Sequence, residues 1–175
     1  MKTIIATKIS FFIMLLLFFG CEKKKEGTAE LTVKMIDAPD DYQEVNVEVL
    51  QVKINHENGG WIDLPTQAGV YNLLTLQNDV FATLVDPYTL PSGRINQLRL
   101  ILGDQNTLMV DSVVHPLNTP SAQMSGLKIN INQRLSANQQ YELVLDFEVE
   151  SSVVEHGNGT YSLKPVLKVD TIHPI

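Results

Sequence analysis

Between Tyr141 and Glu150 the side chains divide by parity: Leu143, Leu145, Phe147 and Val149 take odd positions, while Glu142, Asp146, Glu148 and Glu150 take even ones. Only an extended chain, whose side chains point alternately to opposite faces, converts that order into one apolar and one polar surface. A strand with one dry and one wet face is the mark of an antiparallel sheet. The same alternation places strands at Leu31–Ile36, around Leu98, Leu100 and Leu102, and at Thr107–Val110, Val113–Leu117, Leu127–Gln133 and Tyr161–Val169. Val45, Val47 and Val49 share one phase, but Leu50, Val52 and Ile54 continue in the other. One extra residue in a long strand does this, so a β-bulge is expected near Val49 and Leu50. Asn58-Gly59-Gly60 supplies a tight turn into a short strand at Trp61–Leu64. Pro165 cannot donate a ladder bond, so the last strand is at an edge or its amide side is unpaired. Only around residues 71–86 does the spacing change, with Leu73, Leu76, Val80, Phe81 and Leu84 set as on one helical face. The pattern as a whole predicts an all-β fold. It is an antiparallel β-sandwich, immunoglobulin- or transthyretin-like, with a short helical insertion around 71–86.

The first residues serve a different purpose. Lys2 and Lys8 precede an unbroken apolar run from Phe11 to Phe19, closed by Gly20 and then by Cys21. A spanning helix needs about 20 apolar residues, so this run is too short to cross a bilayer and reads as a cleaved leader. Leu17-Phe18-Phe19-Gly20-Cys21 resembles a relaxed lipobox, in which the cysteine takes a diacylglycerol and becomes the acylated first residue. Residues 1–20 are thus expected to be a lipoprotein signal peptide, 21–27 an acylated tether and 28–172 a single domain. Each buried lipid CH₂ contributes about 0.8 kcal/mol, so several acyl chains anchor a protein durably without spanning the membrane. The tether, extended, reaches at most about 25 Å. Cys21 is the only cysteine, so no disulfide can staple the domain and its core must hold it alone.

Beyond Glu26 the chain holds eight basic residues against eighteen acidic ones. Such a domain repels polyanions overall, which disfavours nucleic acid as a partner. The tether, with Lys23-Lys24-Lys25, is slightly basic.

Several short motifs lie along the domain in a consistent order. Ile36-Asp37-Ala38-Pro39 is followed by Asp41-Tyr42, an alternating valine strand and Gly59-Gly60-Trp61. Leu73-Leu74-x-Leu76-x-Asn78, Leu90-Pro91-x-Gly93, Gln97-Leu98-Arg99-Leu100 and Ser125-Gly126-Leu127-Lys128 come next, and Gly157-Asn158-Gly159-x-Tyr161-x-Leu163-Lys164-Pro165-Val166 closes the series. Across residues 28–170 this order resembles a family of uncharacterised, envelope-associated bacterial and archaeal domains known only as a domain of unknown function. The resemblance implies a secreted or lipid-anchored all-β module. It supplies no catalytic residue.

Candidate sites follow from residue chemistry. Asp37, Asp40, Asp41 and Glu44 gather hard oxygen ligands on one loop, where Ca²⁺ could bind, but their spacing matches no known calcium loop; turn formation explains them equally. No cofactor is expected otherwise. Asp146, Glu148 and Glu150 recur two apart, about 6.5–7 Å along a strand, which overlaps glycosidase carboxylate spacing. Solvation, or pairing with Arg99 or Lys128, accounts for them more simply. His56, His115, His156 and His173 are scattered singly, without a zinc spacing. No nucleophile elbow or phosphate-cradling loop is present. Trp61 after its Gly-Gly turn, with Tyr42 and Tyr88 beside expected loops, could present rings to sugar faces or to a protein ligand. Inward packing beside Ile62 and Leu64 is the competing environment for Trp61. Asp111-Ser112-Val113 and Asp170-Thr171-Ile172 resemble the Asp-Ser/Thr-apolar triplet that some Gram-negative bacteria O-glycosylate, which makes Ser112 and Thr171 candidate acceptors.

These readings converge on a non-enzymatic protein held in the bacterial envelope, at the outer membrane, by lipid on Cys21. It would act as a binding or accessory module for a glycan or protein ligand. A periplasm-facing assembly subunit and a glycan-active enzyme are the alternatives. An open sheet edge or flat apolar patch would favour the first, and a carboxylate in a concave pocket the second.

Overall fold

The strands form because alternating apolar residues can be buried on one face only, and they assemble into two main sheets around one core. The computed structural model describes residues 27–37, 42–78, 80–119 and 125–175. Among these are β1 (Thr28–Ile36), β2 (Glu44–His56), β3 (Gly60–Asp63), β4 (Gly69–Asn72), β5 (Ala82–Pro91), β6 (Gly93–Leu102) and β7 (Thr107–Val110). They continue with β8 (Val113–Pro116), β9 (Leu127–Leu135), β10 (Gln140–Phe147), β11 (Val153–Glu155), β12 (Tyr161–Leu163) and β13 (Leu167–Pro174). Sheet A runs β13-β10-β1-β5, and sheet B runs β8-β7-β2-β6-β9 with β3 and β4 also on β2. A hairpin of β11 and β12 stands apart. Leu31, Val33 and Met35 from β1 and Leu143, Leu145 and Phe147 from β10 share one buried cluster with Val47, Ile54 and Leu98 of sheet B. The architecture is an all-β sandwich.

The bulge expected near Val49 and Leu50 lies where the β2–β6 register shifts between Val49 and Gln51. Val45, Val47 and Val49 are buried, and after the slip Val52 and Ile54 are buried again. Leu50, expected to share the phase of Val52, is the extra residue itself and stays 46 % exposed. An inserted residue belongs to neither register, so it is turned out.

β2 is long enough to bind different strands along its two edges. Asn46 pairs with Thr107 of β7 and Asn72 of β4, while Lys53 pairs with Arg99 of β6 and Asp63 of β3. Strands β6 and β7 thus follow one another along one side of β2, with β4 and β3 along the other. The break between β6 and β7 is held by Glu48: its amide donates to Asn106 Oδ1 at 2.9 Å, and its carboxylate accepts the Gln105 amide at 2.9 Å. Gly103 leaves room there for the Glu48 carboxylate, which a Cβ at that position would meet at 1.9 Å and push aside.

Several expectations are corrected. The window 71–86 holds the end of β4, one 3₁₀ turn at Leu73–Thr75 and the start of β5, with no longer helix among the described residues. Asn72 caps that turn by accepting the Leu74 amide at 3.2 Å, and burial of Leu73 and Leu76 satisfies the helical spacing within a single turn. The strand expected to reach Glu150 stops at Phe147, and Val149–Ser152 makes one helical turn, α1. Its parity did not reveal its neighbours: β10 is antiparallel to β13 but parallel to β1. Pro165 lies between β12 and β13 rather than within a strand, while β13, the last strand, does form an edge of sheet A.

Candidate functional site

The outward positions of three adjacent strands carry a repeated pair of side-chain types, and a fourth strand borders them. Lys53 and Asn55 on β2, Arg99 and Gln97 on β6, and Lys128 and Asn130 on β9 each set a cation and an amide two residues apart. Because neighbouring strands here are antiparallel and in register, like meets like. Lys53 lies opposite Arg99, Arg99 opposite Lys128, and β3 adds Asp63 beside Lys53. In the next row Asn55 lies opposite Gln97, Gln97 opposite Asn130, and β3 adds Trp61 beside Asn55. Strands stand about 4.8 Å apart, so each row is a closely spaced line of polar groups.

The amides are held in place by one another. Gln97 Nε2 donates to Asn130 Oδ1 at 2.9 Å, and Asn96 Nδ2 donates to Asn55 Oδ1 at 3.1 Å. Each of these side chains keeps a further donor or acceptor toward solvent.

Trp61 is 37 % exposed, so the inward environment considered for it does not hold. β3 carries Ile62 inward against the core and thereby turns its neighbour Trp61 outward. The Arg99 guanidinium reaches across β2 and lies 4.3 Å from the indole centroid, a cation–π contact. Gly126, at φ +68°, makes room for the arginine stem, since a Cβ there would stand 2.7 Å from Arg99 Cγ. Arg99 Nε is buried without a hydrogen-bond partner. Packing against the indole and Gly126, rather than a carboxylate, therefore orients this cation. Lys53 pairs with Asp63 at 2.9 Å, while Lys128 is exposed and makes no ion pair among the described residues. The hydrogen bond from Lys53 holds the Asp63 carboxyl below its ordinary value.

Other residues singled out in the sequence do not join this face. Tyr42 is half-buried against the core, and Tyr88, also half-buried, sits on β5 of sheet A opposite Leu31, away from the outer face of sheet B. The aromatic trio therefore does not converge; Trp61 stands without the two tyrosines. Asp37 is 5 % exposed; it accepts the Val149 amide on Oδ1 at 3.2 Å, tying the end of β1 to α1. Asp40 and Asp41 lie outside the described residues, and Glu44 opens β2, where Asn46 donates to its carboxylate at 2.8 Å. No group of three or more metal-ligating side chains occurs among the described residues. Cys21 also lies outside them. Ser112 is exposed in the β7–β8 turn at φ +63°, and Thr171 is exposed on β13, beside a hollow of about 250 Å³ lined by Asp37, Phe81, Glu142 and Asp170.

The carboxylate row is broken up. Asp146 is on β10, Glu148 follows it, and Glu150 belongs to α1. Lys168 pairs with Asp146 at 3.2 Å and with Glu148, so Arg99 and Lys128 play no part there. The pairing raises the Lys168 pKa above its ordinary value. Sequence reasoning missed Lys53, Asn55, Gln97, Asn130 and the roles of Arg99 and Lys128. Their signal was the cation–amide spacing of two in three separate strands.

Residues 28–165 match a domain of unknown function, DUF4382. The chain belongs to that family. The matched span takes in both sheets of the sandwich as far as β12, and with them every member of the Trp61 face. For this DUF4382 chain, comparison with curated proteins and with solved structures returned no match. Among the described residues no helix is long and apolar enough to cross a membrane.

Proposed function

We propose that this DUF4382 protein is a lipid-anchored component of the bacterial cell envelope, at the outer membrane, that binds a glycan without transforming it. The observation that carries the reading is Trp61. The only tryptophan of the chain is turned outward, braced by Arg99, and stands in line with three amides. An aromatic ring offers sugar C–H faces an apolar stack, and planar amides both donate to and accept from hydroxyls. The sheet beneath supplies rigidity, so little ordering is required on binding.

The anchor reading rests on Cys21 at the end of its apolar run. Gly27 stands at one end of the sandwich, where its carbonyl accepts the Ser92 amide at 2.8 Å. The β2–β3 turn is at that same end, since Glu57 donates to the Arg94 carbonyl at 2.9 Å. An anchor at Cys21 would keep the Trp61 face near the membrane. Cys21→Ala should move the protein from the membrane fraction to the soluble one. Trp61→Ala should abolish retention on glycan columns while leaving the circular dichroism spectrum unchanged. Retention of W61A equal to that of the parent would remove the reading.

One observation favours an assembly role instead. β8 closes one edge of sheet B and exposes Val113 and Val114. Crosslinking on whole cells that joined β8 to an envelope complex, together with protection from external protease, would select that role.

A further inference from the structure

Building on the Trp61 face as a glycan site, we infer that its ligand is an acidic polysaccharide, with carboxylates seated on the row Lys53, Arg99 and Lys128. The domain beyond the tether has eight cationic side chains among eighteen acidic ones, yet three of the eight are aligned across adjacent strands on one face. Like charges set directly opposite one another on a sheet are destabilising. The row carries only one carboxylate, Asp63, at the Lys53 end. Arg99 and Lys128 form no ion pair among the described residues, and Arg99 is held by an aromatic ring and a glycine instead of an anion. Such a guanidinium keeps its terminal N–H groups for an incoming carboxylate, which it can bind in bidentate fashion.

The adjacent row decides which polyanion fits. Asn55, Gln97 and Asn130 present neutral donors and acceptors beside the cations, and Trp61 ends that row. A chain carrying hydroxyls, an apolar ring face and a carboxylate in each unit uses all three kinds of group. An acidic peptide leaves the amide row and the ring idle.

The full-length protein in neutral detergent would be titrated with polygalacturonate, with a neutral β-glucan and with poly-glutamate. The expected result is binding of polygalacturonate, weakened by salt, with the other two at least about tenfold weaker. Lys128→Ala should weaken polygalacturonate binding about tenfold, the effect of losing one charge-assisted contact. Lys164→Ala, which removes an equal charge from an exposed position outside this face, should leave it unchanged. Equal binding of the neutral glucan would overturn the acidic ligand and leave the glycan reading intact. Equal binding of poly-glutamate, or equal losses in K128A and K164A, would reduce the row to a nonspecific charge effect and overturn the inference. If no glycan bound, both readings would fall together.

Discussion

Each outer face of the sandwich carries a lysine or arginine over an aromatic ring, and the two pairs are finished differently. On sheet A, Lys34 Nζ lies 4.2 Å from the Phe81 centroid and is also paired with Glu142 at 2.6 Å. Lys168 on the same sheet is shared between Asp146 and Glu148. On sheet B, Arg99 lies over Trp61 with no carboxylate, and Lys128 next to it is unpaired among the described residues. Both faces arise from outward positions of alternating strands, so alternation does not account for the difference. It lies in which strands become neighbours. β10 brings Glu142 beside Lys34 and β13 brings Lys168 beside Asp146, whereas β2, β6 and β9 bring cation beside cation. A face whose charges are mutually satisfied serves stability and solubility. A face with aligned, unmatched cations is destabilised locally, a cost that binding of an anionic ligand would offset.

The comparison breaks most completely if the shared core is removed. Phe147→Ala, in the buried cluster that supports both sheets, should destabilise the protein by about 3–5 kcal/mol. Denaturant unfolding would check this, and both faces should melt in one transition. Separate transitions would mean that the sheets are independent. Gly126→Ala sharpens the contrast from one side only. It places a Cβ at φ +68° and against the Arg99 stem, with an expected loss of about 1–2 kcal/mol. Tryptophan fluorescence should shift with it, since Trp61 is the only reporter.

Arg99→Ala should cost less, about 0.5–1 kcal/mol, and should raise quenching of Trp61 by acrylamide. Lys168→Ala on the other face should leave that quenching unchanged. Equal quenching in R99A and the parent would show that the guanidinium does not cover the ring in solution. The smallest effect is a titration. Lys53→Met should raise the Asp63 pKa toward its ordinary value of 3.8, as read by NMR of the carboxyl carbon. The sign follows from a carboxyl whose pKa is depressed in the folded state. Its stabilisation is present above the ordinary value and lost as pH falls through the lowered one. Lys168 has the opposite sense: its raised pKa stabilises below the ordinary value of 10.5 and is lost as pH climbs through the raised one.

Much of the fold was legible along the chain. β7 begins and ends where alternation placed it, at Thr107 and Val110, and the phase slip after Val49 announced the bulge. The region after Tyr71 was not legible, because Leu73 and Leu76 fit a helix and a single 3₁₀ turn equally until burial chose between them. Of the candidate site, Trp61 was visible and its surroundings were not. Cation–amide spacing can be read within one strand, but opposition of Arg99 to Lys128 depends on residues far apart in the chain.

By itself, then, the sequence determined what is local: strand after strand of period two, the bulge in β2, the turns at glycine, and a lone cysteine that leaves the core to hold the fold. Those features follow from the geometry of a single extended chain and from hydrophobic burial on one of its faces. Only the tertiary structure decided that β1 lies parallel to β10, that Trp61 faces outward and that three cations form a row. Strand partners are chosen by the free energy of the whole packed sandwich, and a backbone hydrogen-bonding edge carries little information about which neighbour it will take.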